Sequence, residues 1–179
     1  MIDLHTRCLN TFPEWLRTLA TDANELGELL GKDLTEPARR YIAGGLNYLF
    51  KSLDLIPDGI EDLGYLDDAF VLRVAAAHAM KSEGAAGEAV VLSRLSADAA
   101  LIAELLGKDH ARLERYVEGL TRGAARGRTV DEILTDESVR SAFLLELSGW
   151  STGYTAPSFA RDEKNLIKLQ SFLGAKLPA

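Results

Sequence analysis

Runs rich in Ala, Leu and Glu recur at helical spacing along nearly the whole chain, and no series of alternating β-branched residues interrupts them. That period points to one fold class, all-α, because a 3.6-residue pattern gathers its apolar positions into a stripe that a strand cannot present. The chain's 179 residues suit a single domain, and a chain of this size buries roughly 70% of the surface its unfolded form exposes. It therefore needs neither a disulfide nor a metal in order to fold. Cys8 is the one cysteine, which rules out an internal disulfide and fits a reducing cytoplasm. The opening MIDLHTRCLNTF lacks the basic and apolar regions of a signal peptide. The longest apolar run, Ala69 to Met80, is broken by Arg73 and carries His78, so no transmembrane segment is expected.

Turn and cap residues divide the pattern into a compact bundle of about seven to eight helices. The first is expected to start near Pro13, a residue suited to a first helical turn, and to stop at Gly31. Thr35 is a good N-cap for the second, with Pro37 in its first turn and Tyr41, Leu46, Leu49 and Phe50 as core positions. The Gly44–Gly45 pair inside it costs about 1 kcal/mol per glycine relative to Ala, unless close helix packing requires it. Further helices are expected over residues 66–83, 86–106 (with Ser96 as a point of interruption) and 109–120. Thr121–Arg128 reads as a flexible basic loop, and Thr129 with Glu132 as a capping box. A helix then carries Val139, Phe143, Leu144 and Leu147. Gly149–Pro157 reads as a turn-rich connection, before a last helix over residues 160–173.

An internal repeat is also visible. Asp22–Asp33 (DANELGELLGKD) and Asp98–Asp109 (DAALIAELLGKD) agree at eight of twelve positions, and after a one-residue slip Arg40-Tyr41 aligns with Arg115-Tyr116. Residues 98–120 thus read as a degenerate copy of residues 22–44, giving two related helical hairpins in a pseudo-two-fold arrangement.

Between the copies lies the segment with the most chemistry. Six carboxylates, two glycines and one proline fall between Asp54 and Asp68, with no Lys, Arg or His among them. Pro57 stops the helix before it. Gly64 is expected to take a backbone conformation that a side chain would oppose. Asp67 and Asp68 fall in the first turn of the next helix, where the dipole and free N–H groups favour negative charge. Capping accounts for most of these residues. The alternative is a divalent-cation site at Asp54, Asp58, Asp67 and Asp68, whose hard oxygens suit Mg²⁺, Ca²⁺ or Mn²⁺. The spacing matches neither an EF-hand loop nor an HExxH helix.

Tyr48-Leu49, Asp54-Leu55-Ile56-Pro57-Asp58 and Gly64-Tyr65-Leu66-Asp67-Asp68 together resemble the YkvA-like family, a domain of unknown function numbered 1232 in its series, over roughly residues 40–76. Ser52 and Glu61 stand where that family's pattern usually has proline, which loosens the loop. The resemblance implies a small helical module found in bacteria in varied contexts, and no activity that can be carried over.

A net charge of −7 argues against nucleic-acid binding. The charge is uneven, because Ala111–Arg128 holds five arginines against two glutamates. Arg122, Arg126 and Arg128 can meet an acidic partner, a phosphate or the acidic segment of another subunit. Gly31-Lys32-Asp33 fails as a phosphate-binding loop, lacking the Ser or Thr and the preceding strand. His5 with Cys8 is a poor catalytic dyad, and His78 reads as a core or boundary histidine. With no catalytic set, the chain reads as a non-catalytic interaction or self-association module without a cofactor. A metal-dependent hydrolase built on the acidic segment is the alternative.

Overall fold

A computed structural model describes residues 1–31, 33–52, 54–57, 59–60, 62–83 and 89–179. Among them are eight α-helices and one two-stranded hairpin. Helix α1 spans Leu4–Glu28 and α2 spans Glu36–Tyr48, with a 3₁₀ turn at Leu29–Gly31 between them. Helix α3 covers Leu66–Glu83. Helices α4 (Val90–Leu106) and α5 (His110–Leu120) follow, joined by a 3₁₀ turn at Gly107–Asp109. Strands β1 (Ala124–Ala125) and β2 (Arg128–Thr129) pair antiparallel, and α6 (Val130–Thr135), α7 (Glu137–Gly153) and α8 (Glu163–Lys176) complete the chain. No described helix is long and apolar enough to cross a membrane.

The expected caps are present. Thr35 accepts the Ala38 N–H at 3.3 Å, and Thr129 and Glu132 form the reciprocal capping box. The start of α1 differs from expectation. Asp3 caps it by accepting the Thr6 N–H at 3.1 Å, ten residues before Pro13, which therefore lies inside the helix. The buried side chains of Cys8, Phe12, Trp15 and Leu16 on either side of the proline hold the helix together through the missing N–H. Helix α4 runs unbroken through Ser96, and α7 continues through Trp150 to Gly153, where a turn was expected. The expected start of α4 at Ala86 lies outside the described residues.

Helix α3 is the centre of the molecule. All eleven residues from Leu66 to Ala76 are buried, a pattern possible only for a helix covered on every side. Helices α2 and α4 make its two broadest contacts, and α1 and α5 close the remaining faces. The Gly44–Gly45 pair makes this closeness possible. A Cβ at Gly45 would stand 3.0 Å from the Ala75 Cβ of α3. One at Gly44 would stand 3.0 Å from the Leu120 carbonyl at the end of α5.

A buried cation sits in this centre. Arg73, 1% exposed, donates from Nε to Asp98 at 3.1 Å and from Nη2 to Asp22 at 3.5 Å. Its guanidinium carbon lies 4.2 Å from the centroid of the Trp15 ring. Arg94 and Thr18 also bond Asp22, at 2.7 and 2.9 Å. Burial alone would push the Arg73 guanidinium toward its neutral form, and the two carboxylates oppose that. These aspartates, Asp22 and Asp98, open the two similar segments of the sequence.

Candidate functional site

The acidic segment folds around a phenol. Tyr48, the last residue of α2 and 1% exposed, points its hydroxyl into the start of α3. There it donates to Asp67 Oδ2 at 2.5 Å and accepts the Leu55 N–H at 2.8 Å. The Ile56 N–H donates to the same carboxylate oxygen at 3.3 Å. Two backbone amides of the loop are thus satisfied by one tyrosine and one aspartate, which a buried loop requires. Leu55, Ile56 and Leu63 anchor the loop in the core. Asp67 therefore braces the loop in addition to occupying the first turn of α3.

The carboxylates also act on their neighbours as a group. Burial, Asp67 and Asp68 raise the Tyr48 phenol far above its ordinary range. The Tyr116 phenol is pushed up to about 12, first by burial and then by Asp67, Asp54 and Asp68. The two tyrosine rings meet edge to face with centroids 6.1 Å apart, and Lys51 Nζ lies 5.7 Å from the Tyr116 centroid. The fold thus brings Asp54, Asp67 and Asp68 to one region between α2, α3 and α5. Asp58 and Glu61 lie outside the described residues. Among those described, no three His, Cys, Asp or Glu side chains are arranged to hold a metal ion.

Pro57 and Gly64 act as turn residues: the Ile60 N–H bonds the Pro57 carbonyl and the Gly64 N–H bonds the Ile60 carbonyl, each at 3.0 Å. The left-handed conformation expected at Gly64 falls instead on Asp62 and Tyr65, each with φ of 67°. Non-glycine residues persist there only when their surroundings hold them, and the chain after α7 does so. Asp62 Oδ1 accepts the Ala160 N–H at 3.2 Å, and the Tyr65 ring packs edge to face on Tyr154 at 5.2 Å. Tyr154 is itself tied to the Leu16 carbonyl at 2.7 Å.

The three arginines are not gathered into one basic edge. Their loop is ordered as the β1–β2 hairpin, with Arg126 at φ 49° and Gly127 at φ 77° forming the two-residue turn. Arg126 and Arg128 both bond Glu146 of α7, at 2.5 and 2.6 Å. Arg128 is 13% exposed and lies over the rings of Phe143 and Phe50, at 4.6 and 5.1 Å. Arg122, also on the surface, has no bonded acidic partner among the described residues. Cys8 is fully buried, and burial pushes its thiol up to about 11. His5 is taken up by Glu163 at 3.0 Å, while His78 stacks on Tyr41 at 4.8 Å.

Sequence reasoning named the aspartates but missed the groups that organise them. Tyr48 was visible only as part of the motif, and Tyr116 only as part of the repeat. The clasp from residues 154–160 left no signal. No curated protein and no solved structure matches this chain. Residues 38–73, from the first turn of α2 to the buried arginine of α3, match the family described as "Protein of unknown function (DUF1232)", a match that covers a fifth of the chain.

Proposed function

We infer that this chain is a non-catalytic helical module that works through contact with another protein, a second copy of itself included, in the cytoplasm. The observation that supports this reading best is the way its side chains are divided between inside and outside. The groups that could do chemistry are drawn into folding: Asp67 braces the loop, Arg73 joins the helices, and Arg128 is packed on two rings. The outer helices instead offer apolar surface. Helix α7 buries only Phe143 and Leu147 and leaves Leu145 76% exposed, and α8 leaves Ile167 57% exposed. Both helices pack on α1. Apolar patches rimmed by polar residues mark contact surfaces. Light scattering on the full chain tests the reading. Self-association that weakens with Leu145→Glu, and weakens with added salt or Arg122→Glu, supports it. A strict monomer at low salt that also captures no protein through Leu145 counts against it. Arg122 is the arginine to change, because charge reversal at Arg126 or Arg128 would also break the Glu146 pairs.

A second reading rests on the joint effect of Asp54, Asp67 and Asp68 on Tyr116. Their hard oxygens suit a divalent cation such as Mg²⁺, Ca²⁺ or Mn²⁺, although no three described side chains are already arranged to hold one. It predicts a rise in Tm with one of these ions that Asp68→Asn removes. A calorimetric titration without cation uptake would sink it.

A further inference from the structure

Three surface cavities include a carboxylate among their walls: Asp98 in one, Glu36 and Glu118 in another, and Glu28 in the third. A further cavity, of about 290 Å³, has none among the described residues. Its walls are Lys51 and Ser52, just after α2, and the hairpin residues Ala124, Ala125, Arg126 and Gly127. In a chain of net charge −7, a cavity whose described walls carry cations and neutral groups without a carboxylate is conspicuous.

Both walls are held in place independently of any ligand. The Lys51 N–H bonds the Tyr48 carbonyl at 3.0 Å. The facing wall is the two-residue turn of the hairpin, with left-handed backbone at Arg126 and Gly127. Glu146 fixes Arg126 through Nη1 alone. Its single charge faces two guanidiniums, so the trio remains positive. Among the described residues Lys51 has no carboxylate partner, and its ammonium lies 5.7 Å from the centroid of the Tyr116 ring. The residues that line the cavity thus carry an ammonium, a hydroxyl, a guanidinium and a turn backbone. That set fits a tetrahedral oxyanion. The volume lies at the small end of ligand pockets, which start at roughly 300 Å³. It has room for a phosphate group together with a small ester substituent.

We propose that this cavity between the end of α2 and the β1–β2 hairpin is a binding site for a phosphate dianion, either inorganic phosphate or the head of a small phosphate monoester. The site is distinct from the apolar contact surface on α7 and α8. It lies directly before the Asp54–Asp68 loop in the chain, so an occupant would touch the residues that lead into that loop.

The test is a titration of the ¹⁵N-labelled full chain, at constant ionic strength, with inorganic phosphate in one arm and O-phosphoserine in the other. Sodium chloride serves as the control. The expected result is saturable movement of the Ser52 and Gly127 amide resonances. Lys51→Gln, a change on the cavity wall that breaks no ion pair, should weaken binding about tenfold, the worth of one charge-assisted hydrogen bond. Lys51→Gln combined with Arg126→Gln should abolish saturation, with circular dichroism showing that the fold is kept. Saturation in both arms identifies the bare phosphate group as the ligand, and saturation with O-phosphoserine alone identifies an ester. Shifts that stay linear and match those caused by chloride would overturn the site. So would binding that Lys51→Gln leaves unchanged.

Discussion

Tyr48 shows how much of the acidic loop depends on one oxygen. Its hydroxyl bonds Asp67 and the Leu55 amide at once, in a region closed to water. Replacing it with phenylalanine keeps the ring and its packing on Tyr116 but leaves a buried carboxylate and a buried amide short of a partner. Such a loss costs about 1–3 kcal/mol. Urea denaturation of Tyr48→Phe should show that drop, with faster hydrogen exchange at Leu55 and Ile56. A stability equal to the parent would mean that the loop is held by other contacts. This bond was not legible beforehand because its partners stand 19 residues apart and no local period links them. The aspartates could be read as first-turn residues, but not as the brace of a tyrosine. Arg128 was misread for a similar reason. Its partners Glu146 and Phe143 come from a later helix, and the Arg126-Gly127 turn lacks the Asn or Asp that usually announces a tight hairpin.

At the scale of elements, the caps and the glycine pair were the most readable features, since each depends on residues a few places apart. Thr35 and Thr129 stand where their caps were expected. Pro13 misled because a proline suits a helix start, and only tertiary packing shows that α1 runs through it. The glycine pair makes a sharper prediction. At Gly44 a methyl group would meet backbone of α5, the carbonyl of Leu120, at 3.0 Å, and backbone cannot swing aside as a side chain can. Gly44→Ala should therefore destabilise by about 1–3 kcal/mol, despite the higher helix propensity of alanine. Thermal unfolding checks this. A rise in Tm would show that α2 and α5 can separate at little cost.

Over the whole molecule, the all-α class followed from periodicity, but the placement of α3 at the centre did not. A helix buried on all sides has no stripe to read, and Ala69–Met80 looked like an ordinary apolar run. What unites the surrounding helices there is Arg73, reaching Asp22 on α1 and Asp98 on α4. Removing one partner of a buried ion pair costs about 3–5 kcal/mol. Arg94 and Thr18 still serve Asp22, so Arg73→Met is expected near the lower end. A double-mutant cycle with Asp98→Asn should give less than the sum of the two single losses. Additive losses would mean that the Arg73–Asp98 bond contributes nothing.

The central position of α3 also bears on what the family match delimits. The matched stretch ends at Arg73, in mid-helix, with its buried faces turned toward α1, α4 and α5, all outside it. A peptide cut at residues 38–73 would carry the Tyr48–Asp67 brace yet expose to water the apolar sides of Phe70, Val71 and Leu72. Residues 38–73 are therefore a keystone and not a portable part. Transplanted alone into a foreign protein they would be insoluble or shapeless, and any host would have to bring its own enclosing helices.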